Sequence, residues 1–121
     1  MNYQSYTELD VWKKSRDFAN RLYILSRQFP KEEVYGLTSQ MRRCSVSKPS
    51  NIAEGCGRNH SKDSLQFFFI ARGSLYELET QLYLSFDQKY ISENELSESL
   101  DLITNCKKLL NGFINYFQKL K

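Results

Sequence analysis

Four long runs of this sequence bring apolar residues back at steps of three and four, and no run brings them back at steps of two. That spacing puts apolar side chains on one side of an α-helix, whereas a half-buried strand would need strict alternation. No Asn-Gly or Asp-Gly pair marks a hairpin. The chain is therefore expected to be all-α, with helices near residues 8–28, 32–56, 62–87 and 93–119.

The punctuation between the runs agrees. In the first, Leu9, Trp12, Ala19, Leu22 and Ser26 form one stripe beside Val11, Ser15, Phe18 and Leu25, and Phe29-Pro30 ends it, since a residue before proline avoids the α region. The second is expected to start near Lys31–Glu33, where two glutamates suit the positive end of a helix dipole. Val34, Leu37, Met41 and Cys44 hold the phase there, and Ile52 and Cys56 resume it, with Lys48 as the one charged residue on the stripe. Pro49 removes a backbone bond inside this run and should kink or split the helix; the phase kept on both sides favours a kink. Gly55 and Gly57 supply the stop. Ser61 is the expected N-cap of the third run, with Asp63 in its first turn. Ser92-Glu93-Asn94-Glu95 opens the fourth as a capping box.

Short connections between long helices make chain neighbours antiparallel, so an up-down-up-down four-helix bundle over residues 1–121 is expected. At 121 residues the chain has the size of one domain. Each helix would be roughly 30–40 Å long. The third run is apolar over most of its circumference: Leu65, Phe68, Leu75, Leu78, Leu82 and Phe86 make one face, while Phe67, Phe69, Ile70, Ala71, Tyr76 and Tyr83 spread round the others. Such a helix wants burial on more than one side. A homo-oligomer with the third helix near its seam is the expectation.

Other classes recede on the same residues. The longest stretch without charge, Leu109–Gln118, is far short of the ~20 residues that span a bilayer. The first residues carry neither a basic nor an apolar signal region. Cys44, Cys56 and Cys106 are an odd set without a Cys-x-x-Cys pair; they read as free thiols in a reducing compartment, so a cytoplasmic protein is expected. A zinc site would need all three and His60, the sole histidine. A di-iron bundle needs two Glu-x-x-His pairs, which are missing. Gly55-Cys56-Gly57 lacks the Gly-Lys-Ser/Thr ending of a phosphate loop. His60 lies in a polar loop without a positioned partner for base catalysis. Neither catalysis, metal nor cofactor is expected.

Charge is uneven along the chain. The net charge is +3, yet residues 42–72 hold six Lys/Arg (Arg42, Arg43, Lys48, Arg58, Lys62, Arg72) against two acids. A solvated face is the ordinary use of such a run. The alternative is a phosphate-binding surface made by Arg42, Arg43, Arg58, Lys62 and Arg72. Aromatic residues are not interleaved with the basic ones, and core or interface packing is the ordinary use of Phe67–Phe69. Ser47, Asn51 and Glu54 share a helical face, as do Ser74 and Glu77. They read either as an internal network fixing helix register or as a polar groove that receives a ligand backbone.

A family pattern runs through these residues. Leu9-Asp10-Val11-Trp12, Phe29-Pro30 with Glu33, Tyr35-Gly36-Leu37 and Gln40-x-Arg42-Arg43 come in order. They are followed by Ser47-x-x-x-Asn51-Ile52-Ala53-Glu54-Gly55, Arg58 and Ala71-x-Gly73-Ser74-Leu75-x-Glu77-Leu78-Glu79. Over nearly its whole length the chain resembles the four helix bundle protein family, first met as reading frames within intervening sequences of bacterial large-subunit ribosomal RNA genes. Lys48 departs from the family pattern, where an apolar residue is common. The resemblance implies a barrel-like homopentamer. Through distant relatives, the accessory variability proteins of retroelements, it also implies a basic barrel that binds a reverse transcriptase and its RNA or DNA. It carries over no catalytic residue. Two readings follow: a nucleic-acid accessory protein, or an interaction scaffold whose arginines meet acidic groups of a neighbouring subunit.

Overall fold

A computed structural model describes residues 5–120. It holds four α-helices, and no strand occurs among the described residues. They are α1 (Asp10–Ser26), α2 (Leu37–Cys56), α3 (Ser61–Asp87) and α4 (Glu93–Gln118). α1 packs on α2, α2 on α3, α3 on α4, and α4 closes against α1 through the thinnest of the four seams. Phe18, Leu22, Met41, Ile52, Phe68, Leu75, Leu78, Ile103, Leu110 and Ile114 fill the centre, all fully buried. These are residues that the three/four spacing assigns to inward faces.

Two helix starts differ from the sequence reading, each for a local reason. α2 begins at Leu37, not near residue 32, because Lys31–Glu33 closes into a 3-10 turn. Gly36 then sits at φ −112°, ψ −117°, and the Glu33 carboxylate accepts the Leu37 backbone N–H at 3.1 Å. A Cβ on Gly36 would stand 2.6 Å from that carboxylate oxygen, so glycine leaves room for the cap. Glu33 thus favours the helix from outside it rather than from its first turn. At α3, His60 takes the N-cap position and Ser61 is the first helical residue. The capping box of α4 forms as expected, with Glu95 N–H on Ser92 Oγ at 3.1 Å and Ser92 N–H on Glu95 Oε1 at 2.8 Å.

α2 runs unbroken through Pro49. The helix is therefore not split, even though proline supplies no N–H for the Ser45 carbonyl.

The connections at one end of the molecule are tied to each other. The Tyr90 hydroxyl, between α3 and α4, donates to Glu33 Oε2 at 2.7 Å. Gln28 Nε2 donates to the Tyr90 carbonyl at 3.1 Å and to Glu95 at 3.0 Å. The rings of Phe29 and Tyr90 lie 5.3 Å apart. The Tyr90 hydroxyl and the Leu37 N–H hold the Glu33 carboxyl below its ordinary range. In return that carboxylate pushes the Tyr90 phenol up to about 12.

Candidate functional site

The five cationic residues singled out by charge distribution occupy different parts of the surface. Arg42 turns toward α1: its Nε donates to Ser26 Oγ at 2.8 Å, and its guanidinium lies 4.9 Å from the Tyr23 ring centroid. Arg43, beside it in sequence, is exposed. Arg58 lies just past the C-terminal end of α2, paired with Glu54 at 3.1 Å and stacked 4.4 Å from the centre of Phe67. Lys62 is exposed at the start of α3. Arg72 leans toward α4, donating to Asn111 Oδ1 at 3.2 Å with the Phe69 ring at 5.1 Å. Within one chain, Arg42 and Arg43 line one shallow concavity, while Arg58 lies between α2 and α3 and Lys62 in the first turn of α3. Arg72 belongs to the α3–α4 side.

Three of the five inward-leaning polar residues meet. Asn51 Nδ2 donates to the Ser47 carbonyl at 2.8 Å and to Ser47 Oγ at 3.0 Å, and Ser74 Oγ donates to Ser47 Oγ at 3.1 Å. This joins α2 to α3. Glu54 turns outward to Arg58, as an exposed carboxylate four residues before an arginine does. Glu77 accepts a 3.3 Å contact from the Cys44 thiol, which also receives Gln81 Nε2 at 3.5 Å. Burial, then the Glu77 hydrogen bond, pushes the Cys44 thiol up from its ordinary value. Cys44 and Gln81 were missed by sequence reasoning, although Cys44 precedes Ser47 by three and Gln81 follows Glu77 by four. Along the same seam Gly55 lies against the ring of Phe68.

Lys48 points the other way from that seam. It is 1% exposed and spans the core from α2 to the ring of Phe18 on α1, 4.9 Å from its Nζ. Burial lowers its pKa, and Cys106 of α4 acts in the opposite direction more weakly.

Apolar concavities lie at the surface. One, of about 830 Å³, is lined by Asn59, His60, Lys62, Phe69, Phe117 and neighbours at one end of α3. Among the described residues no cluster of three or more His, Cys, Asp or Glu could hold a metal. No helix there is long and apolar enough to cross a membrane.

Comparison with known proteins agrees with this geometry. The family model of the 23S rRNA-intervening sequence protein matches residues 7–112. No curated protein matches. A crystal structure from Bacteroides thetaiotaomicron, described as a protein of unknown function from the S23 ribosomal protein family, is similar in fold. It superposes with a TM-score of 0.79 at 24% identity, over 87% of this chain and 95% of that one. With the family match spanning most of its length and the four helices in place, the chain belongs to the 23S rRNA-intervening sequence protein family.

Proposed function

We propose that the protein works by binding rather than catalysis, as a cytoplasmic homo-oligomeric scaffold. Its unit is a single-domain bundle of antiparallel up-down-up-down helices, with α2 bent near Pro49, and five copies close into a ring. The pairings Ser26–Arg42, Ser47–Ser74, Glu79–Lys107 and Gln28–Glu95 support the antiparallel order. One observation carries the scaffold reading. Phe69, Tyr76 and Tyr83 stand exposed at steps of seven along α3, with Ile70 and Leu84 exposed beside them. An apolar strip of that length on a monomer marks an interface, and a spacing of seven keeps it on one side of the helix. Arg72 and Lys107 lie over Phe69 and Tyr76 at 5.1 and 4.5 Å, so cations rim the strip.

A second reading, RNA or DNA binding as an accessory to a reverse transcriptase or similar enzyme, draws on the exposed Arg43 and on Arg58 and Lys62 around the α2–α3 connection. Each group would be repeated around a ring. Arginine suits it because its planar fork meets phosphate oxygens in pairs.

One experiment tests both. Light scattering is expected to give a multiple of the 14.3 kDa chain mass, and the Ile70→Glu/Leu84→Glu variant is expected to run as a monomer with unchanged helical circular dichroism. A monomeric wild type at micromolar concentration overturns the scaffold. In parallel, labelled RNA and single-stranded DNA are titrated at about 50 and 200 mM salt, where several phosphate contacts give a steep loss of affinity. Arg43→Ala/Arg58→Ala/Lys62→Ala is then expected to flatten the slope. No binding at the lower salt by an assembled protein eliminates the second reading and leaves the first.

A further inference from the structure

α1 and α4 meet in the thinnest seam of the bundle and leave a groove between them that no described residue fills. Three cavities lie end to end along it, of about 380, 550 and 310 Å³. Leu109 borders the first and the second, and Phe18, Arg21 and Leu102 border the second and the third, so they make one continuous trough. On α1 it runs from Asp10 to Leu25, roughly 22 Å at 1.5 Å per residue. Its apolar lining is left partly open. Leu102 and Leu109 of α4 are only half-buried, and Ile24 of α1 is 61% exposed.

The α3 strip has the matching form. From Phe69 to Leu84 it is also about 22 Å long, and its exposed pairs Phe69–Ile70, Tyr76–Glu77 and Tyr83–Leu84 recur every seven residues. Along the trough, Leu102 and Leu109 of α4 and Lys14 and Arg21 of α1 recur at the same interval. Helical surfaces that share one repeat stay in step where they pack side by side. Their charges are opposite in sign. Between Gln66 and Asp87 the exposed charged residues of α3 are Glu77 and Asp87, whereas Lys14, Arg21 and Lys108 outnumber Asp17 around the middle of the trough. Within one bundle α1 and α3 are diagonal, so the strip cannot reach the trough of its own chain. The concavity beside Arg42 and Arg43 is cationic too, but on α2 it covers only the first half.

We propose that the trough between α1 and α4 receives the α3 strip of a second copy of this chain, with Glu77 set among Lys14, Arg21 and Lys108. This rests on reading the strip as a subunit interface and adds the surface that it meets. The two surfaces differ, so the contact is heterologous. Each copy keeps a strip for one neighbour and a trough for another, and closing the ring uses both. Strip-to-strip pairing would instead stop at a dimer.

Mixing two variants tests the pairing. Ile70→Glu/Leu84→Glu spoils the strip and Lys14→Glu/Ile24→Glu/Lys108→Glu spoils the trough, all at exposed positions. Each variant alone is expected to be a monomer with unchanged helical circular dichroism. Mixed in equal amounts they are expected to give a 1:1 dimer by light scattering, because one sound strip and one sound trough remain. Within a single chain, Lys14→Glu/Lys108→Glu is expected to raise the concentration for half-assembly about tenfold or more, since like charges set opposite each other oppose docking. Adding Glu77→Lys should lower it again. A monomeric wild type overturns the subunit reading and this inference together. An oligomeric wild type whose trough variant still assembles overturns the trough alone. So does a mixture that forms no dimer when Glu77→Lys also fails to rescue.

Discussion

Replacing Lys48 by methionine is expected to stabilise the protein at neutral pH and to flatten the dependence of its stability on pH. Methionine has similar length and flexibility, so it fills the same channel between α1 and α4 without a polar tip. Removing a buried amine that has no hydrogen-bond partner spares the fold a desolvation cost of about 1–3 kcal/mol. The sign of the pH effect follows from the lowered pKa of Lys48 in the fold. Between that value and the unfolded one, about 10.4, the unfolded chain binds a proton that the folded chain lacks. Stability therefore rises with pH across this window and is at its lowest below it. Urea unfolding at about pH 7 and about pH 9.5 should show the rise in the wild type and lose this part of it in the variant. A destabilised variant, or a wild type flat across the window, would mean that the amine is well solvated or paired.

Gly55→Ala is expected to destabilise, against the usual direction of a glycine-to-alanine change inside a helix. Propensity alone favours alanine by about 1 kcal/mol. A Cβ at this position, however, would meet Cε1, Cδ1 and Cζ of Phe68, with Cζ at 3.0 Å. The ring has little room to retreat, since Phe113 and Phe117 each lie 4.9 Å from it, centre to centre. Overpacking of this kind costs about 1–3 kcal/mol, and Gly55→Val, with its branched carbon, should cost more. Trimming the ring in a Gly55→Ala/Phe68→Leu variant should recover part of the loss. That gives a coupling of about 0.5–3 kcal/mol between two residues in contact. Thermal melts of the four proteins in the cycle decide it, and a melting temperature raised by Gly55→Ala alone would refute the close fit.

Helix identity was legible in this chain because phase survives every local disturbance. Pro49 removes one backbone donor, yet Met41, Ser45, Lys48, Ile52 and Gly55 still share the buried side of α2. Even the burial of Lys48 follows from phase. Its missing partner does not, because that depends on what α1 and α4 bring to the same point. The start of α2 was misplaced for a comparable reason. Two adjacent glutamates suit a helix N-terminus, but only three-dimensional context lets Glu33 reach the Leu37 N–H across Gly36. Of the polar residues sharing a face, Ser47, Asn51 and Ser74 are short and find each other across the α2–α3 seam. The longer Glu54 reaches solvent and an arginine one turn on. Spacing assigns a residue to a side of a helix; side-chain length and the facing helix decide what it touches.

The knot of contacts around Tyr90 bears on how copies of the chain meet. Proteins that pair by domain swapping open a connecting loop and lend an element to a neighbour. Here the connection before α4 is a tight reversal through Lys89, at φ 66°. It is fastened by Tyr90 to Glu33 and by Gln28 to Glu95 and the Tyr90 carbonyl, so straightening it detaches both connections at that end at once. Exchange of α4 between chains is thereby disfavoured, so the proposed assembly would join already closed bundles side to side.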